Sequence, residues 1–266
     1  MSATQNALKV LKANSVQKKI EAANILSEQW HENPYIGSQV SDPPDFPGRP
    51  STPKLVSPAD VPRRRLGSHT GRAALLHAVA HIEFNAIDLA ADMIVRFGNH
   101  PNIDENVRYA FIEDWISVCH DEARHFVLLE KRLKQLASSY GTFPAHNGLW
   151  EAALKTKGNF MARLAIAPMV LEARGLDVTP AMIEKLNKTG DLESANILKI
   201  IYNDEINHVA IGAKWFQFFA ESHRKRPEVY FHELVKEYYS GQLKPPFNVQ
   251  ARTLAGLKQG FYMPLT

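Results

Sequence analysis

Asp121-Glu122-Ala123-Arg124-His125 and Asp204-Glu205-Ile206-Asn207-His208 repeat one pattern: an Asp-Glu pair with a histidine three residues after the glutamate. Each copy sits where helical periodicity calls for apolar residues. Around the first, the seam runs Ile112, Trp115, Cys119, Glu122, Phe126, Leu129, Leu133 and Leu136. Around the second it runs Leu198, Ile201, Glu205, His208, Gly212, Trp215 and Phe219. Residues three and four apart share a helix face, so both Glu/His pairs interrupt core stripes. Two further carboxylates fall in similar places. Glu83 is flanked by Val79, Ile82, Ala86 and Ala90, and Glu172 is preceded by Leu164, Pro168 and Leu171.

A lone buried carboxylate is driven towards its neutral form, and several facing one another would repel. Two divalent cations would neutralise four carboxylates, and each histidine would add a nitrogen ligand without adding charge. One Glu from each of two helices, and Glu-x-x-His from each of two others, is the ligand set of di-iron and di-manganese helical bundles. The sequence supplies it in order: Glu83, then Glu122 and His125; Glu172, then Glu205 and His208. Glu83 precedes Glu122 by 39 residues and Glu172 precedes Glu205 by 33. Each interval fits half a helix, a turn and half a helix back, which brings antiparallel ligands to one level. A metal-bound histidine commonly donates its other N–H to a carboxylate, a role open to Asp121 and Asp204.

Working outward, the periodicity predicts an all-α chain. A first helix is expected over 5–30. Residues 34–62 then hold eight of the 16 prolines and read as an extended strap across the bundle. Four long helices are expected at 70–98, 104–138, 147–174 and 191–222, the last capped by Asp191. A short helix at 180–189 would start from Thr179 and Pro180, the third long helix having stopped at Gly175. Further helices are expected at 227–240 and 248–259. The domain reading is an N-terminal helix and strap over 1–68, a four-helix bundle over 69–225, and a C-terminal helical appendage over 226–266. Pro168, inside the third helix, predicts a local bulge that aims Glu172.

Composition narrows the function classes. At 45% hydrophobic and 22% charged residues the chain is expected to fold rather than stay disordered. No run reads as a membrane span, and no secretory signal is recognised at the N-terminus. Cys119 is the only cysteine, so no internal disulfide forms, and a cytoplasmic location is expected. The net charge of +3 is no nucleic-acid signature. Arg63-Arg64-Arg65 reads as a solvated basic turn, with phosphate contact as the alternative.

Further motifs are Pro47-Gly48-Arg49-Pro50 with Val61-Pro62-Arg63-Arg64, His81-Ile82-Glu83, Phe143-Pro144-Ala145-His146-Asn147-Gly148-Leu149-Trp150, and Leu171-Glu172-Ala173-Arg174-Gly175-Leu176-Asp177. With the two Asp-Glu-x-x-His copies they resemble the ferritin-like superfamily. More closely, over nearly the whole chain, they resemble a bacterial family of ferritin-like proteins without an established function. More distantly, the paired motifs and Leu171-Glu172-Ala173-Arg174 resemble the di-iron tRNA hydroxylases that act on isopentenyl-adenosine derivatives. That likeness implies a class of chemistry rather than a substrate.

The functional expectation is an O2-dependent oxidoreductase, hydroxylase- or monooxygenase-like. It would hold two Fe ions, with Mn as the alternative metal. Its substrate would be a small molecule or a modified tRNA base. No flavin or nicotinamide fingerprint is present, so an external electron donor is expected. The alternatives are a ferroxidase or iron-handling protein without an organic substrate, and a protein with a vestigial site. No pattern sets an oligomeric state. Among other residues, His77 and His81 are expected to pack or to adjoin the site. His146 either caps a helix or borders an entrance. Tyr202, Trp115 and Trp215 read as packed, and Arg174 as a partner of Asp177.

Overall fold

The computed structural model describes residues 1–61 and 66–266, so Arg63, Arg64 and Arg65 lie outside the described residues. The fold is all-α, and no strand occurs among the described residues. The chain forms two compact units, Met1–Trp150 and Glu151–Thr266.

The first unit is built on α3 (His69–Phe97) and α4 (Glu105–Gln135). Ser68 caps α3 by accepting the Gly71 N–H at 3.0 Å. A short turn, 98–104, folds α4 back along α3. The helices come close at that turn, where a Cβ on Gly98 would lie 2.6 Å from Ile112 Cδ1. Alanines 80, 86, 90 and 91 line the buried side of α3, and Ile112, Trp115, Phe126, Leu129 and Leu133 fill the seam of α4.

The expected single helix over 5–30 is two, α1 (Ala3–Lys12) and α2 (Val16–Glu32). The reason is local. Ser15 turns its hydroxyl to the Lys18 N–H at 3.3 Å and caps a new helix, so the chain bends at 13–15. The bend lets α1 pack on α3 and α2 on α4. Lys19 of α2 and Asp88 of α3, both fully buried, form an ion pair between them, and Lys19 Nζ also donates to Val10 O at 3.0 Å.

The proline-rich strap is extended, as its composition requires, apart from one 3-10 turn at Pro58–Asp60. It is tied down along its length. Gly48 N donates to Leu11 O at 2.6 Å, and Trp150 Nε1 donates to Asp45 O at 2.9 Å. Leu55 forms an isolated parallel bridge with Ala145.

In the second unit, α5 (Gly148–Lys155), whose first turn lies in the first unit, is followed by α6 (Phe160–Ile166). The helix expected over 147–174 starts at Gly148 as predicted but is not continuous. The chain breaks at 156–159, where Asn159 caps α6 through the Ala162 N–H at 3.0 Å. Next comes a π-helical turn, Ala167–Glu172, that runs directly into α7 (Ala173–Lys188). The bulge expected at Pro168 is this turn: proline has no N–H to return to Leu164 O, and the wider π spacing absorbs the defect.

The predicted stop at Gly175 and restart at Pro180 do not occur. Gly175 is absent from the left-handed region, which Gly190 at φ 79° occupies beyond the end of α7. Pro180 sits inside α7, and the Leu176 carbonyl four residues back accepts Asn248 Nδ2 at 3.2 Å. A side-chain donor thus replaces the missing backbone bond.

The helix α8 (Leu192–Ser222) starts from Asp191 as expected, its carboxylate accepting the Ser194 N–H at 3.1 Å. Gly212 lets α8 approach the π turn, since a Cβ there would stand 2.4 Å from Pro168 Cβ. The helix α9 (Pro227–Tyr238) follows, and the single helix expected over 248–259 is two, α10 (Val249–Leu254) and α11 (Gln259–Tyr262). Gly256, at φ 72°, separates them. Arg252 of α10 locks onto α7 through two bonds to Asp177, from Nε at 2.8 Å and from NH2 at 2.7 Å.

Candidate metal centre

In the first unit, α3 presents Glu83 and α4 presents Glu122 and His125, one turn apart. The three side chains converge. His125 Nδ1 lies 3.0 Å from Glu83 Oε2 and 3.6 Å from Glu122 Oε2. One ligand atom from each falls within 4.8 Å of the others. The glutamates and the histidine are almost wholly withdrawn from solvent, with side-chain exposures of 4% for Glu83 and 0% for Glu122 and His125. Burial by itself disfavours the imidazolium, but hydrogen bonds to Glu122 and Glu83 and their charges outweigh it and raise the His125 pKa to about 11. Two buried carboxylates thus hold a positive charge between them. A buried Glu/His cluster of this kind can bind a metal ion, and its oxygen and imidazole donors suit iron, manganese or zinc.

In the second unit, α8 repeats the arrangement. His208 is buried, and its Nδ1 lies 3.5 Å from Glu205 Oε1, again one turn apart. Glu172 closes the π turn and is half-buried. Leu164 and Ile201 lie buried nearby in sequence on their respective helices.

Asp121 is engaged by Arg124 of its own helix, at 3.0 Å, and Asp204 is half-buried on α8. His77 and His81 are packing residues with firm partners. His77 is buried, stacks on Tyr140 at 5.4 Å and accepts the Gly141 N–H on Nε2 at 2.9 Å. His81 Nε2 lies 3.1 Å from the His146 carbonyl, which can only accept, so that nitrogen carries the proton. Nδ1 then accepts from the Tyr140 hydroxyl at 2.8 Å. Burial, with the Arg49 charge, lowers the His81 pKa to about 4, consistent with a neutral ring. His146 caps the start of α5, its Nδ1 accepting the Gly148 N–H at 3.2 Å. Tyr202 is hydrogen-bonded to Asn248 at 2.9 Å. Arg174 reaches Asp177 at 3.4 Å and the Lys244 carbonyl at 2.7 Å. Trp115 and Trp215 are core.

Several polar residues escaped the sequence reading. Lys19, Asp88, Asn85 and Tyr140 form buried or half-buried contacts in the first unit, Asn85 with Arg49 of the recognised strap motif. Asp88 had a signal of its own, an aspartate inside Ala86-Ile87-Asp88-Leu89-Ala90-Ala91.

Among described residues, no helix is long and apolar enough to cross a membrane. A family model described as "Protein of unknown function (DUF455)" matches residues 12–263. A Haemophilus influenzae protein named "Uncharacterized protein" is 43% identical over 210 residues, spanning 79% of this chain and 73% of its own length. No solved structure matches the chain.

Proposed function

We propose for this chain, which belongs to the DUF455 family of unknown function, the role of a non-haem di-iron carboxylate oxidoreductase. The observation that carries the reading is the buried Glu83, Glu122 and His125 triad, whose Glu-x-x-His spacing recurs as Glu205 and His208, with Glu172 as the further carboxylate. In this reading the six residues are the ligand set that a ferritin-like four-helix bundle uses for two metal ions. Manganese is the alternative metal.

Two iron ions so held would activate O2 for insertion of oxygen into an organic substrate, with electrons from an external donor. The protein's own groups then have defined tasks. Glu83, Glu122, Glu172 and Glu205 would hold the ions and neutralise their charge. His125 and His208 supply neutral nitrogen ligands, which requires His125 to give up the proton it holds beside Glu83 and Glu122. Asp121 and Asp204 are assigned to orienting the histidines. Phe126, Leu164 and Ile201, all buried, keep water from the reacting groups. The substrate is a small organic molecule or a modified tRNA base.

Oxygen-electrode measurements test the oxidoreductase reading separately from metal binding. Protein loaded anaerobically with Fe(II) is expected to consume O2 faster than the same concentration of free Fe(II). Equal rates with a full metal complement would overturn the oxidoreductase reading and leave the metal site standing.

A further inference from the structure

The strap and the turn between α4 and α5 supply no metal ligand, yet they build a cavity of their own. It measures 350 Å³ and lies between strap residues 49–55, His81 and Phe84 of α3, and Tyr140. The strap wall is fixed by backbone bonds: Ala145 N donates to Lys54 O at 3.0 Å, and Val56 N donates to Ala145 O at 2.8 Å. The motifs Pro47-Gly48-Arg49-Pro50 and Phe143-to-Trp150, which the metal reading leaves unused, therefore meet here.

Arg49 is the chemical centre of the cavity. Its NH1 donates to Asn147 Oδ1 at 2.7 Å and its NH2 to Asn85 Oδ1 at 2.6 Å. Both acceptors are neutral amides, so they hold the guanidinium in place without cancelling its charge. The Nε–H is buried with no acceptor. Of five N–H donors, two are used. Asp88, the carboxylate whose charge Arg49 feels, is committed to Lys19. Lys54 adds a second cation to the wall, and none of the described lining residues is acidic. His81 is neutral by its hydrogen bonds. Phe84, Leu55, Pro50 and Pro53 form the apolar part of the wall, and Ser51, Thr52 and Tyr140 are its neutral polar members. A clamp made only to hold the strap would need neither a spare charge nor a cavity beside it.

We propose that this cavity binds a small organic oxyanion, its carboxylate or phosphate-monoester head on Arg49 and Lys54 and its short apolar body against Phe84 and Leu55. The volume suits a ligand at the small end of the range for such sites, about 300–1,000 Å³. The fork geometry of the free guanidinium N–H groups suits either head.

Titration calorimetry of the full chain with benzoate, phenyl phosphate, inorganic phosphate and the neutral isostere benzamide tests this. At least one of the two organic anions should bind saturably at one site per chain, and the tighter identifies the head. Benzamide should bind at least about tenfold more weakly, the loss expected of a charge-assisted hydrogen bond. Arg49→Gln should abolish binding. Because it also loosens the clamp to Asn85 and Asn147, Lys54→Gln at an exposed position is the second variant, expected to weaken binding about three- to tenfold. Binding should persist in Glu122→Gln, which separates the cavity from a carboxylate attached to metal. The proposal is overturned if neither organic anion saturates below about 20 mM, well above ordinary ligand affinities. It is also overturned if benzamide binds as tightly as benzoate, if inorganic phosphate alone matches both organic anions, if Lys54→Gln and a folded Arg49→Gln bind like the wild type, or if Glu122→Gln loses binding.

Discussion

Replacing Lys19 with methionine removes the cation from an ion pair whose two side chains have no solvent exposure. Burial raises the Asp88 pKa from 3.8 to about 6 even with Lys19 and Arg49 lowering it. A raised carboxyl pKa means the fold favours the protonated form. The associated stability is full below the unfolded value and is lost as pH rises through the folded one. Without Lys19 the main lowering influence disappears, the folded pKa climbs further, and the loss extends to higher pH. Breaking one side of a buried pair costs about 3–5 kcal/mol, so Lys19→Met should lose about that much at pH 8 and less at pH 5, where Asp88 takes up a proton. Lys19→Met/Asp88→Leu should recover most of the loss and its pH dependence. Urea denaturation followed by circular dichroism at both pH values measures this. A Lys19→Met loss below about 1 kcal/mol at pH 8, equal losses at both pH values, or a double variant no better than the single would refute the reasoning.

Gly212→Ala should destabilise the second unit by about 1–3 kcal/mol, because its Cβ would meet Pro168 at 2.4 Å and must push the π turn away; chemical denaturation checks it. Glu122→Gln should abolish metal uptake while the metal-free protein keeps its stability within about 1 kcal/mol, since an isosteric amide replaces a buried carboxylate; metal analysis and denaturation together decide it.

The ligand residues were legible because charge in a core seam conflicts with the helical pattern around it, and Glu122 and His125 stand out for that reason. The Pro168 bulge was legible because proline removes a specific hydrogen bond. Helix boundaries were less so. The break at 13–15 depends on Ser15 capping a helix whose apolar spacing runs on without a gap. The continuity of α7 depends on Asn248, 72 residues from Leu176, supplying the donor that Pro180 lacks. Arg49 stood in a recognised motif, but its partners Asn85 and Asn147 lie 36 and 98 residues away, and local pattern carries no trace of them.

The central claim is that the two Glu/His triads hold metal. Elemental analysis of protein loaded anaerobically with Fe(II) and freed of excess metal tests it most directly. Two ions per chain in the wild type, falling below one in Glu122→Gln, is the predicted result. Less than one ion per wild-type chain, or an unchanged content in Glu122→Gln, would contradict it.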